Sequence, residues 1–135
     1  MVASCGLNKE EEEIENVALR FSQCFFECKY KEAASLCTHQ SEKWIKFAAT
    51  NISDSDLVVF NQSQAIPQYS VTDVNVIDDS TVSVKVEVEN YLSAQSIDHK
   101  ACIKPQGMYT ITLRKQTGTW KVDLSCVPQE DKECH

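Results

Sequence analysis

The chain has 135 residues, enough for one ordinary domain and too few for two. Its hydrophobic fraction of 42% lies near the globular average and excludes wholesale disorder. The formal net charge of −7, with no basic stripe interleaved with aromatics to offset it, excludes a nucleic-acid backbone as partner.

A domain of this size buries about two thirds of the surface of its unfolded chain, so neither a metal nor a disulfide is required to hold its core. Seven cysteines (5, 24, 28, 37, 102, 126 and 134) are many for a cytosolic domain and too sparse for a disulfide-built miniprotein. The first of them ends the run Val2-Ala3-Ser4-Cys5, followed by Gly6. An aliphatic residue, two small residues and a cysteine resemble a bacterial lipobox, whose cysteine receives a diacylglyceryl group. The expectation is a lipid anchor on Cys5 and a place in the cell envelope, at the periplasmic side or displayed on the surface. No apolar run approaches the ~18 residues of a transmembrane helix, so membrane contact would be through lipid alone. Residues 6–13 read as a solvated acidic tether. Glu10, Glu11, Glu12, Glu13 and Glu15 then complement the positive end of a helix that the tether enters. Acids placed just after the lipid cysteine also resemble the export signal of surface lipoproteins in the Bacteroides group.

One domain is expected over 14–127, followed by a tail over 128–135. Ile14, Val17, Ala18, Phe21, Cys24, Phe25 and Cys28 recur at three- and four-residue spacing, the apolar face of a helix about four turns long. Tyr30 to Cys37 fits a second short helix, with Ala33, Ala34, Leu36 and Cys37 inward. Glu42 to Ala49 fits a third, capped by Ser41 and buried through Trp44, Ile45, Phe47 and Ala48. Ser53, Asp54 and Asp56 open a fourth that ends near Phe60. After Pro67 the period changes to two and β-branched residues dominate. Tyr69 to Ile77 is a strand whose in–out phase slips at Thr72-Asp73, the mark of a bulge. Asp78-Asp79-Ser80 turns into Thr81 to Leu92, with Val82, Val84, Val86 and Val88 on one face and Ser83, Lys85, Glu87 and Glu89 on the other. A polar loop is expected from Ser93 to about Gly107. A hairpin then joins Met108–Arg114 to Thr119–Cys126 across Gln116-Thr117-Gly118, with Tyr109, Ile111, Leu113, Trp120, Val122 and Leu124 inward.

Helices first and hairpin-linked strands afterwards describe an α+β domain whose N-terminal helices pack on one face of a curved antiparallel sheet. This order, with Ala18 to Phe26, Tyr30-Lys31-Glu32-Ala33-Ala34-Ser35-Leu36-Cys37 and Gly118-Thr119-Trp120-Lys121-Val122-Asp123, resembles the nuclear-transport-factor-like cone fold. In particular the chain resembles the small lipoproteins that carry this fold in Bacteroides-type bacteria. The resemblance spans nearly all of 14–127 and brings no shared catalytic signature.

Enzymes on cone folds are expected to place an Asp or His inside the cone, where desolvation tunes its pKa. The inward rows here hold Val, Leu, Ile, Trp and Tyr109, while Lys85, Glu87, Glu89, Lys121 and Asp123 fall on the opposite, solvated face. Asp73, at the phase slip, is the one acid free to turn either way. Cys37 and His39, two apart at a helix end, point in different directions and make a poor nucleophile pair. Cys24, Cys28, Cys37 and His39 lack the tight Cys-x-x-Cys spacing of zinc sites, and the cysteines read as small apolar core members. With three glycines in the chain there is no phosphate loop. No metal and no cofactor are expected.

The expected function is a non-catalytic binding or interaction module with an apolar pocket lined by Phe21, Phe25, Trp44, Val84, Val86, Tyr109, Ile111, Trp120 and Val122. Its partner would be a protein or a small apolar ligand. The alternatives are a cone-fold enzyme of isomerase or dehydratase type using Asp73, Tyr109 or His99, and a passive structural accessory. The mixed-charge outer face of the sheet argues for a monomer at micromolar concentration. Pairing Lys115 with Thr119 across the hairpin would set Cys102 opposite Lys132, within about two residues of Cys134, and a Cys102–Cys134 disulfide follows as an expectation. A free Cys134 and a Cys126–Cys134 bond are the competing readings.

Overall fold

The computed structural model describes the backbone of residues 2–50, 52–62, 66–93 and 102–128, with side chains from Lys9 onward except at 55, 59, 93 and 102. Helix α1 runs Val2–Phe26, α2 Tyr30–Ser35, α3 Glu42–Thr50 and α4 Asp54–Gln62. Strands β1 (Gln68–Asp78), β2 (Thr81–Ser93), β3 (Cys102–Gln116) and β4 (Thr119–Val122) form one antiparallel sheet in the order β1-β2-β3-β4. The helices cover one face of it, the α+β arrangement expected from the order of periodicities.

The predicted apolar stripe forms the seam. Its members Ile14, Ala18 and Phe21, joined by Phe26, which the stripe did not include, are buried against the β2 row Val82, Val84, Val86 and Val88, none of which is more than 2% exposed. Strand β3 adds Tyr109, Ile111 and Leu113, and β4 adds Trp120 and Val122. Each large apolar side chain so buried contributes roughly 1.5–3 kcal/mol relative to leaving it in water. The phase slip at Thr72 is a bulge, since the ladder steps from Val71↔Val86 to Asp73↔Lys85. Ser53 and Asp56 close α4's start reciprocally: the Asp56 N–H donates to Ser53 Oγ (3.2 Å) and the Ser53 N–H to Asp56 Oδ2 (2.9 Å).

Several expectations are corrected. Residues 6–13 continue α1 and are not an extended tether, and Glu10 pairs with Lys115 of β3 at 3.0 Å. The acids therefore lie turns away from the helix start, where the dipole no longer reaches them. Ser41 ends a 3-10 turn (His39–Ser41), and its hydroxyl is turned to the Leu124 N–H just past β4 and not to the first turn of α3. Phe47 is 54% exposed, because Ile45 and Ala48 already fill the face that α3 turns inward. Strand β3 begins at Cys102, where a loop reaching Gly107 was expected. Pro105 and Gly107 read as loop residues, yet the ladder simply skips the Asn90–Pro105 step, where proline has no N–H to give and Asn90 takes φ 57°. Gly107 is required for a different reason. A Cβ there would overlap the Tyr91 hydroxyl and stand 2.9 Å from its Cζ.

The β3–β4 hairpin turns on two residues, Thr117 (φ 50°) and Gly118 (φ 80°), and pairs Lys115 with Trp120 and Gln116 with Thr119. The three-residue turn and the Lys115–Thr119 pairing are thus off by one, and β4 stops at Val122. The register that led to a Cys102–Cys134 bond is not the one found. The bond itself lies outside the described side chains, as do His99 and Cys134.

Candidate functional site

Polar chemistry gathers at the end of α1, around a helix terminus of uncommon composition. The Lys29 N–H donates to Cys24 O (2.7 Å) and the Cys28 N–H to Phe25 O (3.2 Å), with Cys28 at φ 65°. This is a left-handed helix stop, a position that glycine takes at little cost and that a side chain strains by about 1 kcal/mol. The reversal delivers Tyr30 to the start of α2 and folds its hydroxyl back to donate to Cys28 Sγ at 3.8 Å. From β1, Tyr69 donates to Glu27 Oε2 at 3.0 Å. Behind them runs a continuous aromatic wall. Phe21 stacks on Phe25 at 5.6 Å, and Phe25 meets Tyr30 and Phe26 edge-on at 5.8 and 5.2 Å. Phe26 then contacts Tyr91 (5.2 Å) and Tyr109 (4.6 Å), whose hydroxyls are themselves 3.1 Å apart.

Electrostatics make this corner chemically quiet. Burial, followed by the Glu32 carboxylate, pushes the Cys24 thiol up, and burial also pushes up Cys28, with Asp56 of α4 adding to it. The Tyr30 and Tyr69 phenols are raised by burial too, then by the Cys28 thiol and the Glu27 carboxylate respectively. At neutral pH all four are protonated, so the thiols are not thiolate nucleophiles and the phenols serve only as hydrogen-bond groups. The corner offers neutral donors and sulfur atoms on an aromatic surface.

A second polar cluster closes the opposite edge of the sheet. Asp123 Oδ1 accepts from Thr38 Oγ1 and Gln40 Nε2, both at 2.8 Å, and its Oδ2 lies 3.4 Å from Arg114 Nε. Ser41 Oγ accepts the Leu124 N–H at 2.7 Å and lies 2.6 Å from Thr38 Oγ1. The only consistent orientation runs from Leu124 N–H through Ser41 and Thr38 to the carboxylate. Every member of the chain is satisfied, which marks it as structural. Asp123 was expected on a solvated face, yet its side chain is 13% exposed. The residues from Leu36 to Thr38 come alongside β4 and shield it there. Alternation along a strand gives no sign of such an overlay.

Of the nine expected pocket residues, Phe21, Val84, Val86, Tyr109, Ile111, Trp120 and Val122 sit within the buried cluster, while Phe25 and Trp44 pack on its margin. Phe21, Phe25 and Tyr109 also belong to the aromatic wall of the corner. Asp73 is exposed and pairs across the ladder with Lys85, on the outer face. Cys37 is buried with its thiol donating to Ala33 O at 3.3 Å and pushed up to about 12 by burial, whereas His39 is on the surface beside Glu42 at 2.8 Å. They do not converge with Cys24 and Cys28 on a metal position. Cys5 lies on helical backbone and Cys102 opens β3; their side chains lie outside the described residues. The Tyr69–Glu27 pair was missed, being 42 residues apart in sequence with no short-range signal to join them.

A protein of unknown function from Shewanella oneidensis MR-1, described as NTF-2 like, superposes on 90% of this chain and 98% of its own, with a TM-score of 0.56 at 7% identity. The fold is NTF-2 like. An Asp-to-Asn variant of a Mycobacterium tuberculosis protein, also of unknown function, covers 96% of this chain and 76% of its own, with a TM-score of 0.57 at 14% identity. At such identities the likeness extends to the fold and assigns no residue a role. No protein-family model matches the sequence, and no curated protein does.

Proposed function

We propose that this NTF-2 like chain is a non-catalytic binding module, tethered to a cell envelope through lipid on Cys5, that holds a small apolar ligand at the aromatic end of α1. The observation that carries the binding reading is the state of that corner: Cys24, Cys28, Tyr30 and Tyr69 are half-buried and held neutral, on a wall formed by Phe25 and Phe26. Such a surface suits a flat apolar molecule with one hydrogen-bonding group. Its thiols and phenols stay protonated at neutral pH and so supply hydrogen bonds and not a nucleophile.

Titration with naphthol, followed by amide NMR, is expected to perturb Phe25, Tyr30 and Tyr69 first, and Tyr30→Ala is expected to weaken binding about tenfold, a loss of some 1.4 kcal/mol. Perturbations scattered over the surface would defeat the reading. So would conversion of a β,γ-unsaturated ketone at a rate that Asp73→Asn abolishes. The tether rests on the Val2-Ala3-Ser4-Cys5 motif. Cells expressing the precursor should incorporate radiolabelled palmitate into it, and Cys5→Ala should stop that; labelling that survives the substitution removes the anchor.

A further inference from the structure

We infer that the free edge of β1 associates with the same edge of a second copy of this chain, antiparallel about Asn75. Strand β1 ends the sheet, and among the described residues no strand pairs with its outer side. Three of the exposed large hydrophobics fall in or beside it: Ile66 at 72%, Val76 at 69% and Ile77 at 57%. Val76 pairs with Val82 and so sits on the face that elsewhere is covered by helix, yet nothing covers it. The strand holds no lysine or arginine, the usual guard of an open edge.

The ladder fixes which backbone groups point outward. The Lys115 N–H donates to Ser80 O, so even-numbered residues of β2 bond to β3 and odd-numbered ones to β1. Ser83 pairs with Asn75 and Lys85 with Asp73, which turns the N–H and C=O of Asn75 and Asp73 inward. Those of Val74 and Val76 are left facing out. Register shifts at Val71/Asp73 and Val76/Asp78 bound this regular stretch on both sides.

A two-fold axis at Asn75 matches the stretch to itself. Val74 meets Val76 of the second copy, and Val76 meets its Val74, which makes two mutually hydrogen-bonded pairs and sets valine against valine on the helix-facing side. Asp73 meets Ile77, so no carboxylate opposes another. The bulges limit pairing to this short run, and the net charge of −7 works against closer approach. The association is therefore weak, a dimer at high protein concentration and a monomer when dilute.

Sedimentation equilibrium of the whole chain should show the weight-average mass rising from monomer toward dimer between about 10 μM and about 1 mM. Val76→Lys, at an exposed position that leaves folding intact, should hold the mass at monomer throughout. Asn75 faces Asn75 across the axis as a non-hydrogen-bonded pair, close enough for a disulfide. Asn75→Cys in a Cys126→Ser background should cross-link between copies with oxidised glutathione about tenfold faster than Ser70→Cys, which lies beyond the bulge and gains no matching effective concentration. A mass that stays monomeric up to about 1 mM overturns the inference, as do equal cross-linking at the two positions and a dimer unaffected by Val76→Lys.

Discussion

The β4 edge and the β1 edge of the same sheet are finished in opposite ways. Along β4, the segment after α2 returns to the strand: Cys37 bridges to Val122, the Thr38 N–H donates to Val122 O (2.8 Å) and the Val122 N–H to Leu36 O (2.9 Å). Asp123 then ties Thr38, Gln40 and Arg114 together. At the β1 edge two bulges interrupt the ladder, and Val76 and Ile77 stay in water. One edge is closed by hydrogen bonds that hold helices to sheet; the other is only made irregular. Stability should therefore be concentrated on the β4 side, and changes on the β1 side should be felt mainly in association.

The largest effect is expected from Asp123→Ala. It removes three hydrogen-bond or ionic partners and leaves the buried Thr38–Ser41 hydroxyl pair with one proton and no acceptor for it. An orphaned buried donor with its charged acceptor gone costs about 2–3 kcal/mol. For a chain of this length that corresponds to a fall in Tm of roughly 8 °C. Asp123→Asn, which keeps an Oδ1 acceptor, should lose less. A loss below about 0.5 kcal/mol for Asp123→Ala, measured by urea denaturation, would mean that the carboxylate is not the anchor of the closed edge.

The next effect separates the edges by pH. Burial pushes Cys37 from 9.0 up to about 12 in the fold, so in the unfolded chain this thiol ionises first. A raised acid contributes its full stability below the unfolded value and loses it as pH rises between the two. Stability should fall by roughly 1–2 kcal/mol on going to pH 10, because the unfolded chain then sheds a proton that the fold retains. Cys24, Cys28, Tyr30 and Tyr69 are raised as well and steepen the same loss. Cys37→Ala should flatten the slope of stability against pH above pH 9 whatever it does to stability at neutral pH, and an unchanged slope would contradict the burial of that thiol at the β4 edge.

Local periodicity made most of the fold legible. The spacing of Ile14, Ala18 and Phe21, the alternation of Val82 to Val88 and the slip at Thr72 each depend on neighbours a few residues away, and each is found as read. What escaped depends on partners far along the chain. Asp123 follows the polar phase of β4, and only the return of Thr38, 85 residues earlier, takes it out of water. Phe47 has the right spacing for a buried face, but Ile45 and Ala48 occupy the side that α3 turns inward. The candidate site was legible in part: Phe25 reads as pocket-lining, while Tyr69 reaches Glu27 from 42 residues away, and Tyr30 folds back on Cys28 because that non-glycine residue accepts a left-handed backbone. No composition rule foretells a cysteine there.

The smallest expected effect gives the finest comparison, since it uses two valines paired across one rung. Val76 and Val82 are direct partners on the same face of the β1–β2 ladder, yet Val82 is 2% exposed and Val76 69%. Threonine matches valine in shape and adds a hydroxyl. At Val82 that hydroxyl is buried among Val84, Leu113 and their neighbours and costs about 1–3 kcal/mol unless it finds a partner. At Val76 it stays hydrated, and β-propensity is kept, so Val76→Thr should change the unfolding free energy by less than about 0.5 kcal/mol. Both variants are read by the urea midpoint at low micromolar concentration, where association at the edge does not contribute. A cost at Val76 comparable to that at Val82 would show that the β1 edge is covered in solution, and the contrast between the two edges would fail at its most exposed point.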